Sequence, residues 1–267
     1  MQSIAAFAGY SETAFVLSAL DETHDIYVRY FTPTVEVPIC GHATIATHFL
    51  RVKTAGDDRT RIIAKTGAGI MPVDIERDGQ DIKIVMTQQP PEFGHIFTDE
   101  QRAKLASALN IAKHDVVDEL PIQIVSTGHS KVMIPLESTE ILDRLAPDME
   151  ALKQLSKEVG CNGFFPFVTE SSDYKAIRTF GRMFAPAIGI DEDPVTGNAN
   201  GPAGAYLARY GILAFDERTV YKAYQGIAMG KPGEMEVRLT RANDGRTMIR
   251  IAGNAVESGQ KQYLEPP

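Results

Sequence analysis

Two stretches of the chain share one order of hydrophobic and polar positions. Phe31–Leu50 and Phe184–Leu207 each begin with Phe-x-Pro-x and alternating β-branched residues, and each passes through a polar turn into a run of small apolar residues. The turns end in Gly41-His42-Ala43 and in Gly197-Asn198-Ala199. Alternation is typical of a strand, and the small-residue run is typical of a packed helix. We therefore expect an extended segment followed by a helix at two places.

The similarity continues on both sides of these stretches. Upstream, Met1–Leu17 and Met149–Val168 each favour an amphipathic helix that ends in Gly, followed by a short Phe-containing strand. Downstream, Ala68–Met86 and Gly233–Gly253 alternate as strands around the Asp-Gly turns RDGQ and NDGR. These patterns predict an α+β protein with two similar domains that arose by internal duplication.

The domain boundary is predicted in Thr87–Thr98. Two prolines follow a strand pattern there, and a helix with a capping pattern begins at Thr98-Asp99. The predicted domains are therefore residues 1–90 and 98–267.

The second domain carries a hairpin pattern that the first lacks. Pro121–Leu136 reads as two strands around a Thr-Gly-His-Ser turn, whereas Met1 already lies inside the matching helix of the first half. Two missing strands would leave an apolar sheet edge uncovered. We expect either a longer natural chain, or another segment or a second subunit that covers the face of Ile4 and Phe7.

Composition limits the classes of ligand. The chain has 267 residues, 43% of them hydrophobic, and a formal net charge of -8 with a pI near 5.3. Without clustered Lys and Arg, neither a nucleic acid nor an anionic membrane is an expected partner, and a small molecule is. With no leader-like or long apolar run and only Cys40 and Cys161, we expect a reduced cytoplasmic protein.

No sequence pattern calls for a cofactor or a metal. Neither a Walker-type loop nor a full dinucleotide fingerprint occurs. The histidines are scattered, and His42 and His48 would not share a helix face as an i, i+4 pair does. We expect chemistry carried by the chain's own side chains.

Helix starts are the candidate binding places. The first turn of a helix presents unpaired N–H groups and a partial positive charge, so two such turns facing across a domain cleft would bind an anionic metabolite. Gly41 and Gly197 would let that substrate approach the backbone. The alternative interpretation is that these glycines serve only helix packing.

Three ionisable residues break the symmetry of the two halves. Glu12, followed by Ala14 and Phe15, is a candidate base whose pKa desolvation would raise, or else a surface glutamate at a helix end. Asp193 precedes the second turn, where it either caps the helix or acts on substrate. His42 follows Gly41, where the helix N-terminus would lower its pKa and keep the ring neutral, or else it is structural.

Five long motifs carry a family resemblance. They are SETAFV, RYFTPTVEVPICGHATIATHFL, CNGFFPF, GRMFAPAIGIDEDPVTGNANGPAGAYL and QGIAMGKPG, beginning at Ser11, Arg29, Cys161, Gly181 and Gln225. Together they resemble the PhzF-like family, which is named for the phenazine-biosynthesis isomerase and shares the diaminopimelate epimerase fold. The resemblance implies two β-barrel-like sheets, each around a central helix, an active site in the cleft between the domains, and a homodimer. It also implies a strand and a Gly-Asn-Pro turn before the first helix.

The resemblance assigns roles to single residues. The catalytic glutamate of the family matches Glu12, its cleft histidine His42 and its cleft aspartate Asp193. Asn198 replaces the isomerase's serine, and an amide can donate a hydrogen bond but cannot relay a proton as a hydroxyl does.

The epimerase relatives use two facing thiols, and this chain keeps one of the two positions. Cys40 occupies the first place, but Thr196 occupies the second and Cys161 lies on another element. Two-base racemisation is therefore disfavoured, and Cys40 is interpreted as a small buried residue.

The leading hypothesis is a cofactor-independent isomerase that moves a proton between carbons of a small carboxylate-bearing metabolite. Glu12 would carry the proton, and His42 and Asp193 would orient the substrate. Gly41 and Gly197 N–H groups would stabilise developing negative charge, with Asn198 as a further substrate contact. The alternative hypothesis is a non-catalytic small-anion binding protein, and a two-base racemase is the least favoured.

Overall fold

The computed structural model describes residues 1–56, 58–171, 177–242, 244–260 and 262–263. The chain forms two compact units. Unit 1 comprises Met1–Thr87 together with the chain from Ala252 onward, and unit 2 comprises Gln88–Ile251. The sequence analysis placed the chain from Ala252 onward in the second domain. In the structure this segment belongs to unit 1.

Unit 1 combines a small sheet with two helices. In chain order its elements are α1 (Gln2–Ala8), β1 (Thr13–Ser18), β2 (Ile26–Phe31), β3 (Glu36–Val37), α2 (Gly41–Ala55), β4 (Arg61–Thr66), β5 (Gly69–Asp78) and β6 (Asp81–Thr87). The strand order is β1-β2-β4-β5-β6, and β3 pairs with β2. The predicted RDGQ turn is confirmed, because Asp78 faces Asp81 in the β5/β6 register.

Helix α2 supplies the helical side of the unit 1 core. Ala43 and Val52 of this helix are buried in one cluster with Val28, Ile62 and Ile84 of the strands. The strand order ends at β1, which pairs with β2. Packing of α2 against the sheet thus fixes the position of the first helical turn.

Unit 2 has a longer sheet with helices on both of its faces. Its elements are β7 (Glu92–Ile96), α3 (Asp99–Leu109), β8 (Gln123–Ser126), β9 (Ser130–Pro135), α4 (Thr139–Asp143), α5 (Met149–Val159), β10 (Phe164–Ser171), β11 (Ile177–Gly181), β12 (Met183–Ala185), β13 (Ile190–Asp193), α6 (Gly197–Arg209), β14 (Arg218–Gln225), β15 (Gly233–Arg241) and β16 (Thr247–Gly253). The strand order is β16-β15-β14-β11-β10-β9-β8-β7, with β12 beside β10 and β13 beside β12.

Several local signals of unit 2 are confirmed. Thr98 forms a capping box with Gln101 at the start of α3. Gly128 has φ 116 in the turn between β8 and β9, where the hairpin was expected. The NDGR turn falls partly outside the described residues, since Asn243 is not among them.

The pleat of β10 separates two cores. Phe165 and Phe167 pack in the cluster that contains α6, and Phe164 packs in the cluster that contains α3 and α5. Successive side chains of a strand point to opposite faces, so this one strand is buried on both sides. Helix α6 itself is buried continuously from Ala199 to Leu207. Its small residues let the sheet approach the helix closely.

The chain therefore has an α+β fold, as expected. A helix, a strand, a short extended segment and a small-residue helix follow one another in each unit. The internal duplication that this order suggests stays a prediction. None of the helices in the described part of the chain combines the length and the apolar character needed to cross a membrane.

Candidate active site

Glu12 lies next to the first turn of α2 because of the β1/β2 pairing. Helix α1 ends at Gly9, whose φ of 70 reverses the chain toward β1. Thr13 at the start of β1 faces Phe31 at the end of β2, and the chain after β2 leads through β3 to α2. The residue before β1 and the residues that open α2 are thus brought together.

Four polar side chains meet here and are called the Glu12 cluster: Ser11, Glu12, Cys40 and His42. Glu12 Oε2 lies 3.2 Å from His42 Nε2, and the Glu12 side chain is only 11% exposed. Ser11 Oγ lies 3.4 Å from His42 Nε2. Cys40 Sγ lies 3.6 Å from both ring nitrogens of His42. Glu12 is therefore not the surface glutamate that the sequence left open.

A buried hydroxyl pair fixes the start of α2. Cys40 is the N-cap residue and Gly41 and His42 are the first two helical residues. Thr44 Oγ1 donates to the Cys40 carbonyl over 2.7 Å, and Tyr30 Oη lies 2.6 Å from the same Thr44 oxygen. Both Tyr30 and Thr44 have no exposed surface. The strand β2 thus holds the turn that carries Cys40 and His42.

The electrostatics of Glu12 differ from the sequence expectation. Burial does raise the pKa of Glu12, but hydrogen bonds from His42, Ser11 and Cys40 and the electrostatic attraction of His42 together outweigh it. The net pKa lies below the ordinary value of 4.5. The expected upward shift is wrong, because the contacts of Glu12 with these three neighbours cannot be derived from sequence spacing. Glu12 is an ionised carboxylate at neutral pH, which is the form that accepts a proton.

Cys40 is buried, as expected, but it also contacts the site. Burial raises the pKa of the Cys40 thiol, and the nearby Glu12 carboxylate adds to this, while His42 opposes both. The thiol is therefore protonated at neutral pH. A protonated thiol donates a hydrogen bond rather than acting as a nucleophile.

In unit 2, Asp193 lies beside the N-cap of α6. Asp193 ends β13, and Thr196 is the N-cap residue of the helix that begins at Gly197. The Thr196 hydroxyl donates to Asp193 Oδ2. Asp193 therefore supports the N-cap residue, and Thr196 takes the position in α6 that Cys40 takes in α2.

A buried glutamine that the sequence analysis did not single out ties this turn together. Gln225, at the end of β14, is 1% exposed. Its Nε2 donates to the Asp193 carbonyl over 2.6 Å and to Thr196 Oγ1 over 3.0 Å. Its Oε1 accepts from Thr196 N over 3.1 Å and from Asn200 Nδ2 over 3.0 Å. One amide thus satisfies four polar groups around the start of α6.

Gln88 holds the two predicted binding residues of α6. Its Nε2 donates to the Gly197 carbonyl over 2.9 Å and lies 3.4 Å from Asn198 Oδ1. Its Oε1 accepts from Thr127 Oγ1 over 2.6 Å. A Cβ at Gly201 would lie 1.7 Å from Gln88 Oε1, so only glycine leaves room for this side chain.

Lys131 is a further charged residue that sequence reasoning missed. Its side chain crosses the space above Gly163, where a Cβ would lie 2.3 Å from Lys131 Cδ and 2.9 Å from Met183 Cε. Burial lowers the pKa of Lys131, while Cys161 and Asp193 act in the opposite direction. A lysine directly before the apolar run Val132–Pro135 of β9 was the available signal. The buried Lys131 amine thus interacts electrostatically with Asp193.

A family model for phenazine biosynthesis-like proteins, PhzC-PhzF, matches residues 1–260. The chain belongs to the PhzF-like family. As a PhzF-like protein it falls among isomerases, as the names of its relatives indicate.

Two relatives and one solved structure illustrate the similarity. An uncharacterized isomerase of Clostridium acetobutylicum is 50% identical over 257 residues, covering 96% of this chain and 85% of the relative. The trans-2,3-dihydro-3-hydroxyanthranilate isomerase of Pseudomonas aeruginosa is 31% identical over 267 residues, covering 99% and 88%. The crystal structure of a PhzF family phenazine biosynthesis protein from Bacillus anthracis matches with a TM-score of 0.85 at 33% identity, covering 95% of this chain and 85% of that one.

Proposed function

We propose that this PhzF-like protein is a cofactor-independent isomerase that moves a proton between two carbons of a small carboxylate-bearing metabolite. The observation that carries the proposal is the enclosed Glu12 carboxylate, whose Oε2 lies 3.2 Å from His42 Nε2. The Pseudomonas aeruginosa relative, named as an isomerase of trans-2,3-dihydro-3-hydroxyanthranilate, supports the same class of reaction. We propose that compound as the first substrate to test.

The proton passes through Glu12 in both directions. The ionised carboxylate takes a proton from one substrate carbon and becomes a carboxylic acid, while the electron pair of the broken C–H bond is delocalised into the adjacent unsaturated system. The carboxylic acid then returns the proton to a different carbon, and a new C–H bond forms. Glu12 ends the cycle ionised, so no other reactant is consumed. A single group in reach of both carbons is sufficient for this chemistry.

The neighbours of Glu12 keep the carboxylate ionised, but they also make it a weaker base. His42, Ser11 and Cys40 stabilise the carboxylate and keep its pKa below 4.5. A weak base of this kind needs a substrate C–H that the adjacent unsaturation already acidifies. The N–H groups at the start of α2, including that of Gly41, would stabilise negative charge on such a substrate.

The roles of the unit 2 residues are a separate part of the proposal. We propose that Asp193 orients a polar group of the substrate and that Gly197 and Asn198 bind its carboxylate. Their support is that Asp193 ends β13 just before α6, and that Gly197 and Asn198 are the first two residues of this helix. Asp193→Asn and Asn198→Ala should raise KM or lower kcat while the Glu12 cluster stays intact. Unchanged kinetic constants in both variants would remove this part alone.

Deuterium uptake from solvent tests the role of Glu12. The protein is incubated in D2O with trans-2,3-dihydro-3-hydroxyanthranilate, and the position of each new C–D bond is followed by NMR. The wild type should form the isomer, with deuterium at the receiving carbon in the fraction of turnovers in which the Glu12 carboxylic acid exchanges with D2O before it returns the proton. Glu12→Gln should slow this by about 10²- to 10⁴-fold, the usual contribution of general acid–base catalysis.

Glu22→Gln is the matched control, because Glu22 is an exposed glutamate of the same unit. It should exchange at the wild-type rate. Turnover undiminished in Glu12→Gln would contradict the proposal.

A small-anion binding protein without turnover is the second candidate. It is favoured by Asn198, whose side chain lies 3.4 Å from Gln88 Nε2 where the isomerase carries a serine by resemblance. Calorimetry with a panel of small carboxylic acids separates the two functions. Saturable binding without exchange or turnover for any bound acid would favour the binding protein.

We also propose a cytoplasmic homodimer, which sedimentation of the purified protein and fractionation of cells would test.

A further inference from the structure

The Glu12 cluster gathers three different kinds of metal donor. A carboxylate oxygen of Glu12, the thiol sulfur of Cys40 and a ring nitrogen of His42 all lie within 4.8 Å of one another. They come from two segments, the turn before β1 and the first residues of α2. We propose that Glu12, Cys40 and His42 bind one thiophilic divalent cation, with Zn²⁺ as the physiological candidate, and that this ion switches the site off.

The distances fit one tetrahedral ion. Zinc lies about 2.3 Å from sulfur, about 2.0–2.1 Å from imidazole nitrogen and about 2.0–2.2 Å from carboxylate oxygen. With tetrahedral angles these lengths place sulfur and nitrogen about 3.5 Å apart, and nitrogen and oxygen about 3.4 Å apart. The corresponding distances in the protein are 3.6 Å for Cys40 Sγ to His42 Nε2 and 3.2 Å for His42 Nε2 to Glu12 Oε2. Two donor separations thus already match those of a tetrahedral site. Because Sγ lies 3.6 Å from both ring nitrogens, the His42 ring must also rotate to direct its Nε2 lone pair at an ion shared with Cys40.

The third edge requires little movement. The sulfur and the carboxylate oxygen are no more than 4.8 Å apart, and about 3.5 Å is needed, so a closure of at most about 1.3 Å completes the set. Small χ rotations of Glu12 supply it, because its backbone lies in a connection rather than inside β1. The backbones of Cys40, the N-cap residue, and His42, in the first turn of α2, are fixed by the helix.

The charges of the ligands also favour binding of a divalent cation. Binding turns the Cys40 thiol into a thiolate, and its proton leaves to solvent as the S–metal bond forms. A thiolate and a carboxylate then neutralise the two positive charges of the ion, which limits the cost of enclosing it. Mg²⁺ and Ca²⁺ prefer all-oxygen sites, so the sulfur and nitrogen donors select Zn²⁺ and Co²⁺ instead. The fourth position stays open for water or a carboxylate.

The bound cation would inhibit proton transfer, because it occupies a carboxylate oxygen of Glu12. A Glu12 carboxylate that binds a metal cannot accept a proton from carbon. This consequence rests on the proposed function, whereas metal binding itself does not. The two are therefore tested by different measurements.

Cobalt titration tests the site. Co²⁺ added to the reduced full-length protein should give a sulfur-to-cobalt charge-transfer band and intense tetrahedral d–d bands, and Zn²⁺ should abolish both. Cys40→Ser should lose the charge-transfer band. Cys161→Ser is the control, because Cys161 is the other buried cysteine and lies in unit 2, and it should keep the full spectrum. A band that is absent from the wild type, or retained in Cys40→Ser, would overturn the proposal.

Two more variants keep the test sound if Cys40→Ser fails to fold, which a thermal melt reveals. Glu12→Gln and His42→Asn should each weaken Co²⁺ binding at least tenfold, since even the loss of an outer partner of a metal ligand costs about 10- to 100-fold. Unchanged affinity in both would exclude this ligand set. Exchange assays with EDTA then separate the two proposals: if Glu12→Gln loses cobalt but keeps turnover, the metal site stands and the proposed base does not.

Discussion

Glu12 Oε2 and His42 Nε2 lie 3.2 Å apart, joining the turn before β1 to the second residue of α2. Burial of Glu12 opposes its ionisation, and the contact with His42 favours it. Burial is the largest single effect, but His42 together with Ser11 and Cys40 outweighs it, so the pKa of Glu12 falls rather than rises. The first prediction reverses this balance.

Removing His42 should raise the pKa of Glu12. In His42→Asn the burial of the carboxylate remains, while its largest stabilising partner is gone. The ionised base exists above its pKa, so the acid limb of kcat/KM that reports Glu12 should lie lower for the wild type than for the variant. NMR titration of the Glu12 carboxyl carbon measures the same shift without a substrate.

Linkage gives a stability test with the same sign. Because the folded-state pKa is lowered, Glu12 contributes stability that is present above its unfolded value and is lost as pH falls through the folded pKa. His42→Asn should flatten this acid dependence. Ser11→Ala should shift the Glu12 pKa upward by less than His42→Asn does, because Ser11 is the weaker partner. A carboxyl titration unchanged in His42→Asn would contradict the assignment.

The hydroxyl pair under α2 should contribute measurably to stability. Tyr30→Phe removes the contact of 2.6 Å with Thr44 Oγ1 inside the core. Thr44 still donates to the Cys40 carbonyl, so the loss is one buried hydrogen bond, about 1–2 kcal/mol of unfolding free energy. Tyr27→Phe on the same strand is the control and should change stability by less than about 0.5 kcal/mol. Urea unfolding measures both, and equal costs would refute the role of the pair.

Much of the fold could be predicted because its signals are local. Thr98 and Gln101 form their capping box within one helical turn, and Asp78-Gly79 selects the β5/β6 turn. The site was only partly predictable. Glu12 and His42 could be named as candidates, but the direction of the Glu12 pKa depends on contacts that sequence spacing does not reveal.

Residues that act through long-range contacts were missed for the same reason. Gln225 reaches Asp193 and Asn200 from β14, and Gln88 reaches Gly197 from the segment after β6. A glutamine at or just after the end of a strand carries no sequence pattern that tells whether its side chain is exposed or belongs to a buried hydrogen-bond network. Only the register of the sheet and the packing of α6 place these amides.

Replacing the buried Gln225 amide should destabilise the protein strongly. Gln225→Leu leaves the Thr196 N–H and the Asn200 amide without their acceptor and the Asp193 carbonyl without its donor. We expect a loss of about 2–5 kcal/mol in unfolding free energy.

Gln154→Leu is the control for Gln225→Leu, because Gln154 is exposed on α5. Its cost should stay within about 0.5 kcal/mol. Amide hydrogen exchange at Thr196 should accelerate in Gln225→Leu alone. Slow exchange at that position in the variant would show that the network does not hold the turn.

The last prediction concerns the close approach of Gln88 to Gly201. In Gly201→Ala the new Cβ would lie 1.7 Å from Gln88 Oε1 and 2.6 Å from Gln88 Cδ, so the Gln88 side chain must leave. It would lose the hydrogen bonds to Gly197 and Thr127. The better helix propensity of alanine returns about 1 kcal/mol. We expect a net loss of about 1–3 kcal/mol in unfolding free energy.

A double-mutant cycle isolates this clash from other effects of the extra methyl group. Gln88→Ala alone should destabilise the protein, because Thr127 and the Gly197 carbonyl lose their partner. Gly201→Ala added to Gln88→Ala meets no amide, so the double variant should be more stable than the sum of the two single costs predicts. The expected coupling is about 1–3 kcal/mol, within the range of residues in direct contact. Additive costs in urea unfolding would mean that Gln88 does not occupy the space above Gly201.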